Sequence, residues 1–148
     1  MKTFIRHRDD YTWEGVPLLN YKEEAGTHFK QVTRQVLSER ADGFSSELRY
    51  FEVAPGGYST LERHQHAHMV LIGRGSGRCL VGEEVFSVDT LDAVMIPPMT
   101  WHQFRAGAKA PLGFFCIVDC ERDRSQLPTA DDLRALSANP IVGDFIRV

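Results

Sequence analysis

The chain has 148 residues, of which 43% are hydrophobic and 25% charged, a composition typical of a globular domain with a substantial core. Its net charge of -3 and pI near 6.1 provide no electrostatic basis for binding nucleic acid or an anionic membrane. No apolar run approaches the roughly 18 residues of a membrane-spanning helix. Three cysteines without a C-x-x-C pair argue against a disulfide framework or a zinc ribbon. We therefore expect one domain, located in a reducing cytoplasm, with a small molecule as its partner.

Short β-forming runs punctuated by glycine and proline occupy most of the chain and predict an all-β sandwich or small barrel. Residues 1–26 are polar and irregular, and we predict that they form an arm. The strands are predicted at Phe29 to Leu37, Leu48 to Val53, a segment with strand character containing residues 62–68, Val70 to Ile72, Arg78 to Val81, Glu84 to Val88, Ala93 to Ile96, from His102 onward, and Leu112 to Val118. The predicted barrel spans residues 28–120.

The spacing of apolar residues changes after Pro128. Residues 128–148 are predicted to form a short helix and an apolar tail. Thr129 is a good helix cap, and Leu133 and Leu136 lie three apart on one face. Asn139-Pro140 is predicted to end the helix.

Potential metal ligands cluster in the centre of the chain. Glu62, His64, His66 and His68 stand at alternate positions, and His102 follows a Pro-Pro break. Because alternate side chains of a strand share one face, several of these groups could converge on one point. Three or four such ligands make a mononuclear transition-metal site.

The spacing of these residues resembles the cupin family. Its first motif, G-x5-H-x-H-x(3,4)-E-x6-G, is matched in spacing by Gly56, Glu62, His64, His68 and Gly75. Its second motif, P-x-G-x-x-H, is matched by P-P-M-T-W-H at residues 97–102. The resemblance implies a jelly-roll barrel, a frequent homodimer, and a metal held by Glu62, His64, His68 and His102.

Three positions depart from the family pattern. Glu62 stands where the family has its first histidine, His68 where it has glutamate, and Met99 where it has glycine. A rival register takes His64 and His66 as the H-x-H pair, which makes His66 an alternative ligand but spoils the glycine spacing. Three imidazoles and a carboxylate leave two open positions on an octahedral ion, which favours Mn or Fe; Ni, Co and Zn remain alternatives.

Two further residue classes could take part in chemistry. Cys116 and Cys120, four apart near the end of the last strand, are either small core residues or thiol nucleophiles, whereas Cys79 is predicted to be structural. A phosphorylated substrate would need two or three strand cations to converge at the barrel mouth. The candidates are Lys30, Arg34, Arg49, Arg63, Arg74, Arg78 and Arg105.

A narrower resemblance comes from three stretches: L-E-R-H-x-H-x-H at 61–68, I-P-P-M-T-W-H-Q-F-R-A at 96–106, and C-x-V-x-C-E-R-D-R at 116–124. They are similar to a small bacterial subgroup whose assigned reaction is the methylsulfurylase step on 1-methylthio-D-xylulose 5-phosphate. The resemblance implies glutathione as co-substrate and a link from methionine salvage to isoprenoid precursors. A metal-dependent dioxygenase or isomerase, and a non-catalytic binding module, remain open because the fold alone does not give function.

Overall fold

The computed structural model describes residues 3–21 and 28–148, which form antiparallel strands followed by two short helices. The strands are β1 Leu19–Asn20, β2 Lys30–Ser38, β3 Ser46–Tyr58, β4 His68–Val81, β5 Glu84–Asp89, β6 Ala93–Ile96, β7 His102–Ala106 and β8 Leu112–Asp119; the helices are α1 Ala130–Ser137 and α2 Pro140–Phe145. Residues 1–2 and 22–26 of the predicted arm lie outside the described part of the chain. Neither helix is long and apolar enough to cross a membrane.

Antiparallel pairing joins the strands in the order β1-β2-β3-β7-β4-β5, with β6 paired to β4. Strand β8 pairs with both β3 and β4, so it connects the two long strands along most of their length. This arrangement confirms the predicted all-β cupin jelly roll, with a second short helix that the sequence did not predict. The centre of the barrel is thereby lined by residues from strands that are distant in sequence.

Two hydrophobic clusters stabilise the molecule. The first fills one part of the barrel and includes Val53, Val70, Ile72, Leu112 and Phe114, all of which are buried. The second lies where the helices pack on the barrel and consists of Leu61, Leu80, Leu136, Val142 and Phe145, with partly buried neighbours around them. Burial of apolar side chains is the main favourable contribution to folding of such a barrel.

The largest differences from the sequence prediction lie in β3, in β4 and in the connection between them. Strand β3 continues through Pro55–Gly57 to Tyr58, because Gly56 adopts φ 73° and lets the strand bend instead of ending. Strand β4 likewise passes through the glycine-rich stretch, where Gly75 has φ 70°. Residues 59–67, in contrast, are an irregular connection with only isolated bridges and not the predicted ligand strand.

The C-terminal region contains one predicted helix and one that the sequence analysis missed. Helix α1 begins after Thr129, whose hydroxyl accepts a hydrogen bond from Asp132 N, as the capping pattern predicts. Helix α1 ends at Ser137, and Asn139 then caps α2, since its side chain accepts from Ile141 N. Pro140 occupies the first turn of α2, where a missing N–H is tolerated.

Candidate metal and thiol site

Three of the four predicted ligands converge. His64 lies in the irregular connection, His68 opens β4 and His102 opens β7, and one ligand atom of each lies within 4.8 Å of the others. The backbones of Glu62 and His102 pair with each other, with N···O distances of 3.2 and 3.0 Å. This local pairing holds the irregular connection against the start of β7 and so brings His64 and His102 together.

Hydrogen bonds at Nδ1 orient the imidazole rings. His64 Nδ1 lies 2.7 Å from His66 O, and His102 Nδ1 lies 2.9 Å from Thr100 O. A carbonyl only accepts, so each Nδ1 carries the proton and each Nε2 presents a lone pair. Such a hydrogen bond fixes the tautomer of metal-binding histidines in general.

The third ring has a different partner. His68 Nδ1 lies 3.0 Å from Cys116 Sγ, and His68 Nε2 is buried with no hydrogen-bond partner. A buried polar atom without a partner is costly, and a metal ion would satisfy it. The donor set and this unpartnered nitrogen therefore fit a transition metal bound by His64, His68 and His102.

Burial and mutual proximity keep these imidazoles neutral. Burial, followed by the neighbouring His102 and His66 rings, lowers the pKa of His64 to about 4. Burial, followed by the His102 and His64 rings, also lowers the pKa of His68 far below its usual value. Neutral imidazole is the form that binds a metal.

Glu62 and His66 lie beside the cluster without being part of it. Both line the same cavity, but neither contributes to the group of atoms within 4.8 Å. The His66 ring stacks on His64 at 3.6 Å between centroids, and its Nδ1 lies 2.7 Å from Asp123 Oδ1. Because residues 59–67 are irregular, strand alternation is not the reason these groups approach each other, which corrects the expectation from sequence.

Asp123 supports this irregular connection and was not identified from sequence. Its carboxylate accepts hydrogen bonds from Gln65 N at 2.8 Å and His66 N at 3.1 Å. The Gln65 N–H is the largest cause that lowers the pKa of Asp123, followed by the His66 side chain. The two backbone bonds between Arg63 and Gln126 tie the same segments together a few residues away.

The three thiols occupy different environments. Cys116 in β8 points into the cavity, where it contacts His68 and accepts a hydrogen bond from Arg49 at 3.4 Å. Burial raises the pKa of Cys116, and the Arg49 guanidinium opposes that shift. Cys120 follows the end of β8, so strand parity no longer applies; its Sγ donates to Phe44 O at 3.6 Å, outside the cavity. Cys79 is a core residue, and burial raises its pKa to about 11.

The cavity has a volume of about 160 Å³ and is smaller than a site for a drug-sized ligand. Three guanidinium groups line it, those of Arg34, Arg49 and Arg122. Arg34 and Arg49 were among the candidate cations, whereas Arg122 appeared only within the C-x-V-x-C-E-R-D-R stretch at 116–124. The remaining candidates, Lys30, Arg63, Arg74, Arg78 and Arg105, are not among its lining residues.

Comparison with known proteins agrees with this geometry. Residues 49–118 match the model of the cupin domain. A curated relative from Rhodospirillum rubrum, 1-methylthio-D-xylulose 5-phosphate methylsulfurylase, is 52% identical over 145 residues, which cover 98% of this chain and 92% of that protein.

Solved structures extend the comparison to the whole fold. A cupin 2 conserved barrel domain protein from Rhodopseudomonas palustris is 50% identical, with a TM-score of 0.93 and coverage of 99% of this chain and 100% of that one. A cupin-2 domain from Rhodospirillum rubrum is 53% identical, with a TM-score of 0.87 and coverage of 97% and 96%. The barrel, the histidine cluster and these relatives together establish that the chain belongs to the cupin family.

Proposed function

We propose that the chain is a metal-dependent cupin enzyme that removes the methylthio group from 1-methylthio-D-xylulose 5-phosphate and transfers it to glutathione. The products would be 1-deoxy-D-xylulose 5-phosphate and the mixed methyl disulfide of glutathione. The observation that carries the proposal is a buried thiol next to the imidazole cluster in a chain 52% identical to a methylsulfurylase.

The metal would be held by His64, His68 and His102, with Glu62 as the fourth ligand; manganese is our first choice. Bound there, a divalent ion would act as a Lewis acid toward the substrate carbonyl and its neighbouring hydroxyl. Glu62 lies in the right cavity for this role. Its negative charge favours protonation of His64, and this proximity supports its assignment to the site.

The thiol of Cys116 is the proposed nucleophile. Its thiolate attacks the thioether sulfur, the C–S electron pair passes to C1 of the substrate, and C1 takes up a proton. Glutathione thiolate then attacks the methylthio sulfur held on Cys116, which forms the mixed disulfide and returns the Cys116 thiolate. The substrate carbon is reduced, the two sulfurs are oxidised to a disulfide, and the proton lost by glutathione balances the one gained at C1.

Two neighbours of Cys116 support the thiolate form. A guanidinium N–H of Arg49 donates to Sγ at 3.4 Å, and His68 Nδ1, 3.0 Å from Sγ, would carry a proton and donate when Nε2 binds the metal. Donors aimed at a sulfur favour its anionic state, and a nearby cation does the same. Cys120 has neither of these contacts, so we place the reaction on Cys116 and not on Cys120.

The direct test is incubation of the metal-loaded protein with 1-methylthio-D-xylulose 5-phosphate and glutathione, followed by mass spectrometry of both products. Cys116→Ala should lose turnover, whereas Cys120→Ala should keep it, because only Cys116 lies in the cavity. If both variants keep wild-type turnover, sulfur transfer through an enzyme cysteine is wrong. Oxygen consumption coupled to turnover would instead favour a dioxygenase, and substrate rearrangement with the methylthio group retained would favour an isomerase.

The ligand set has its own test, which does not require a substrate. Elemental analysis should find near one metal per chain in the wild type and in His66→Ala, and a strong loss in Glu62→Ala. Loss in His66→Ala with retention in Glu62→Ala would move the fourth ligand to His66. Stoichiometric zinc without a bound water would favour the non-catalytic binding module.

A further inference from the structure

Two arginines lie side by side on the inner wall of the cavity. Strand β2 pairs with β3 so that Arg34 stands opposite Phe51 and Val36 stands opposite Arg49. Arg34 and Arg49 are therefore diagonal neighbours on adjacent strands, and both line the same cavity as the histidine cluster. Residues 15 apart in the chain have been brought to one patch by the strand register.

The charges of this pair are poorly compensated. Among the described residues, Arg34 has no ion-pair partner, and its Nε is buried without a hydrogen bond. The Nε of Arg49 also lacks a hydrogen bond, and its nearest carboxylate oxygen, Glu47 Oε2, is 4.0 Å away. Glu47 lies closer to Arg122, at 2.9 Å, and is shared between the two.

A buried guanidinium nitrogen without a partner is unfavourable in a folded protein unless a ligand supplies the acceptor. Of the two carboxylates among the described residues that line the cavity, Asp123 is hydrogen-bonded to Gln65 N and His66, and Glu62 lies near His64. The arginine pair therefore places two poorly compensated guanidinium groups in the wall of the cavity.

The chemistry of these donors selects the ligand. Guanidinium groups bind phosphate through two parallel hydrogen bonds, which is a stronger and more directional contact than a lysine ammonium makes. The small cavity volume of about 160 Å³ also suits one compact phosphate ester.

We propose that Arg34 and Arg49 form the subsite for the phosphate group of the substrate and so determine specificity for a phosphorylated sugar. This inference rests on the proposed function in that the substrate is a sugar phosphate, and it does not depend on the proposed sulfur transfer. Arg49 would then contact both the phosphate group and the nucleophile, because it also donates to Cys116 Sγ. Arg122, held by Glu47, lies at the edge of the same subsite.

The test is calorimetric titration of the metal-loaded protein with D-xylulose 5-phosphate and, separately, with D-xylulose. The wild type should bind the phosphate ester more tightly than the free sugar. Arg34→Gln should weaken binding of the ester by roughly 10- to 100-fold, the effect expected for a hydrogen bond to a charged group. Binding of the free sugar should not change. The affinity of Arg34→Lys for the ester should fall between those of the wild type and Arg34→Gln.

Arg40→Gln is the matched control, since it removes the same charge from an exposed ion pair with Glu121 and should leave binding unchanged. The melting temperature of Arg34→Gln should not fall below that of the wild type, because the substitution removes an unpaired buried group. Arg49→Gln provides a second variant with the same expected loss of ester binding.

Several outcomes would overturn the inference. Equal binding of the ester and the free sugar by the wild type would show that the cavity has no phosphate subsite. Equal weakening of both ligands in Arg34→Gln would show that Arg34 only shapes the cavity. Weaker binding of reduced glutathione by Arg34→Gln than by the wild type, with binding of the ester intact, would show that the arginines bind a carboxylate. Selective loss of ester binding in a protein that makes no 1-deoxy sugar would support the subsite and refute the sulfur transfer.

Discussion

His102 and Gln103 are consecutive residues of β7, yet they belong to two opposite kinds of buried polar environment. Gln103 faces the helices and is completely buried. Its amide donates to Ser59 O at 2.8 Å and Arg147 O at 2.7 Å and accepts from Arg147 N at 2.9 Å. His102 faces the cavity, where His68 Nε2 and the Nε atoms of Arg34 and Arg49 are buried without hydrogen bonds.

The contrast separates buried polar groups that stabilise the fold from buried polar groups that are available to bind a ligand. Buried amides are tolerated where every donor and acceptor has a partner, and such networks stabilise a unique packing. The cavity violates that rule at several groups at once, and local violations of this kind are expected at sites that bind ligands. The Gln103 side of β7 should therefore respond to mutation in stability, and the His102 side in binding and activity.

The largest effect is expected from His68→Ala. This change removes one of three clustered ligands, so metal content should fall toward zero and activity should drop by at least about 100-fold, the scale for loss of a preorganised electrostatic contact. Elemental analysis and product formation measure the two effects. His7→Ala, in the N-terminal segment next to Trp13, should change neither. Retention of the metal in His68→Ala would contradict the three-imidazole site.

The hydrogen-bond network of Gln103 should respond to Gln103→Leu with a loss of stability. The change leaves Ser59 O, Arg147 O and Arg147 N without their partner, and each unsatisfied buried group costs about 1–3 kcal/mol. We expect the free energy of unfolding of the metal-free protein, measured with urea, to fall by about 2–5 kcal/mol. Gln65→Leu, at an exposed position, should change it by less than about 0.5 kcal/mol. An unchanged unfolding midpoint in Gln103→Leu would show that the network does not stabilise the fold.

Asp123→Asn should have an intermediate effect, a decrease in metal affinity. The carboxylate holds Gln65 N and His66, and His66 stacks on His64. Loss of such outer support lowers metal affinity by about 10- to 100-fold, which competition with a chelator can measure. Glu121→Gln, in the same segment but paired, among the described residues, with the exposed Arg40 alone, is the control and should leave affinity unchanged. Equal affinities for Asp123→Asn and wild type would separate Asp123 from the site.

The smallest and most gradual effect is that of pH on the metal-free protein. The pKa of His64 is lowered to about 4 in the fold from the usual 6.5 of histidine, so between these values the unfolded chain binds more protons. Stability should therefore be full above about pH 6.5 and decline as the pH falls toward 4. Thermal melting of metal-free wild type and His64→Gln at pH 7 and pH 5 tests this. A slope that is the same in His64→Gln would show that His64 does not contribute.

Much of the barrel could be predicted because its signals are local. Strand β6 was predicted with its exact limits, and the hairpin around Gly82-Glu83 follows from a two-residue turn between β-forming runs. The continuation of β3 past Pro55 could not be predicted in this way, since it depends on pairing with β2 at Tyr58. Helix α2 was missed because Asn139-Pro140, which predicts the end of one helix, also begins the next one.

By itself, the sequence determined the family and the donor types, because the spacing of Glu62, His64, His68 and His102 is local information that does not require a fold. Tertiary structure decided which groups meet. Cys116 lies against His68, and Arg34 lies beside Arg49, only because particular strand registers bring together residues that are far apart in the chain. A one-residue shift of those registers would turn each side chain to the other face of the sheet.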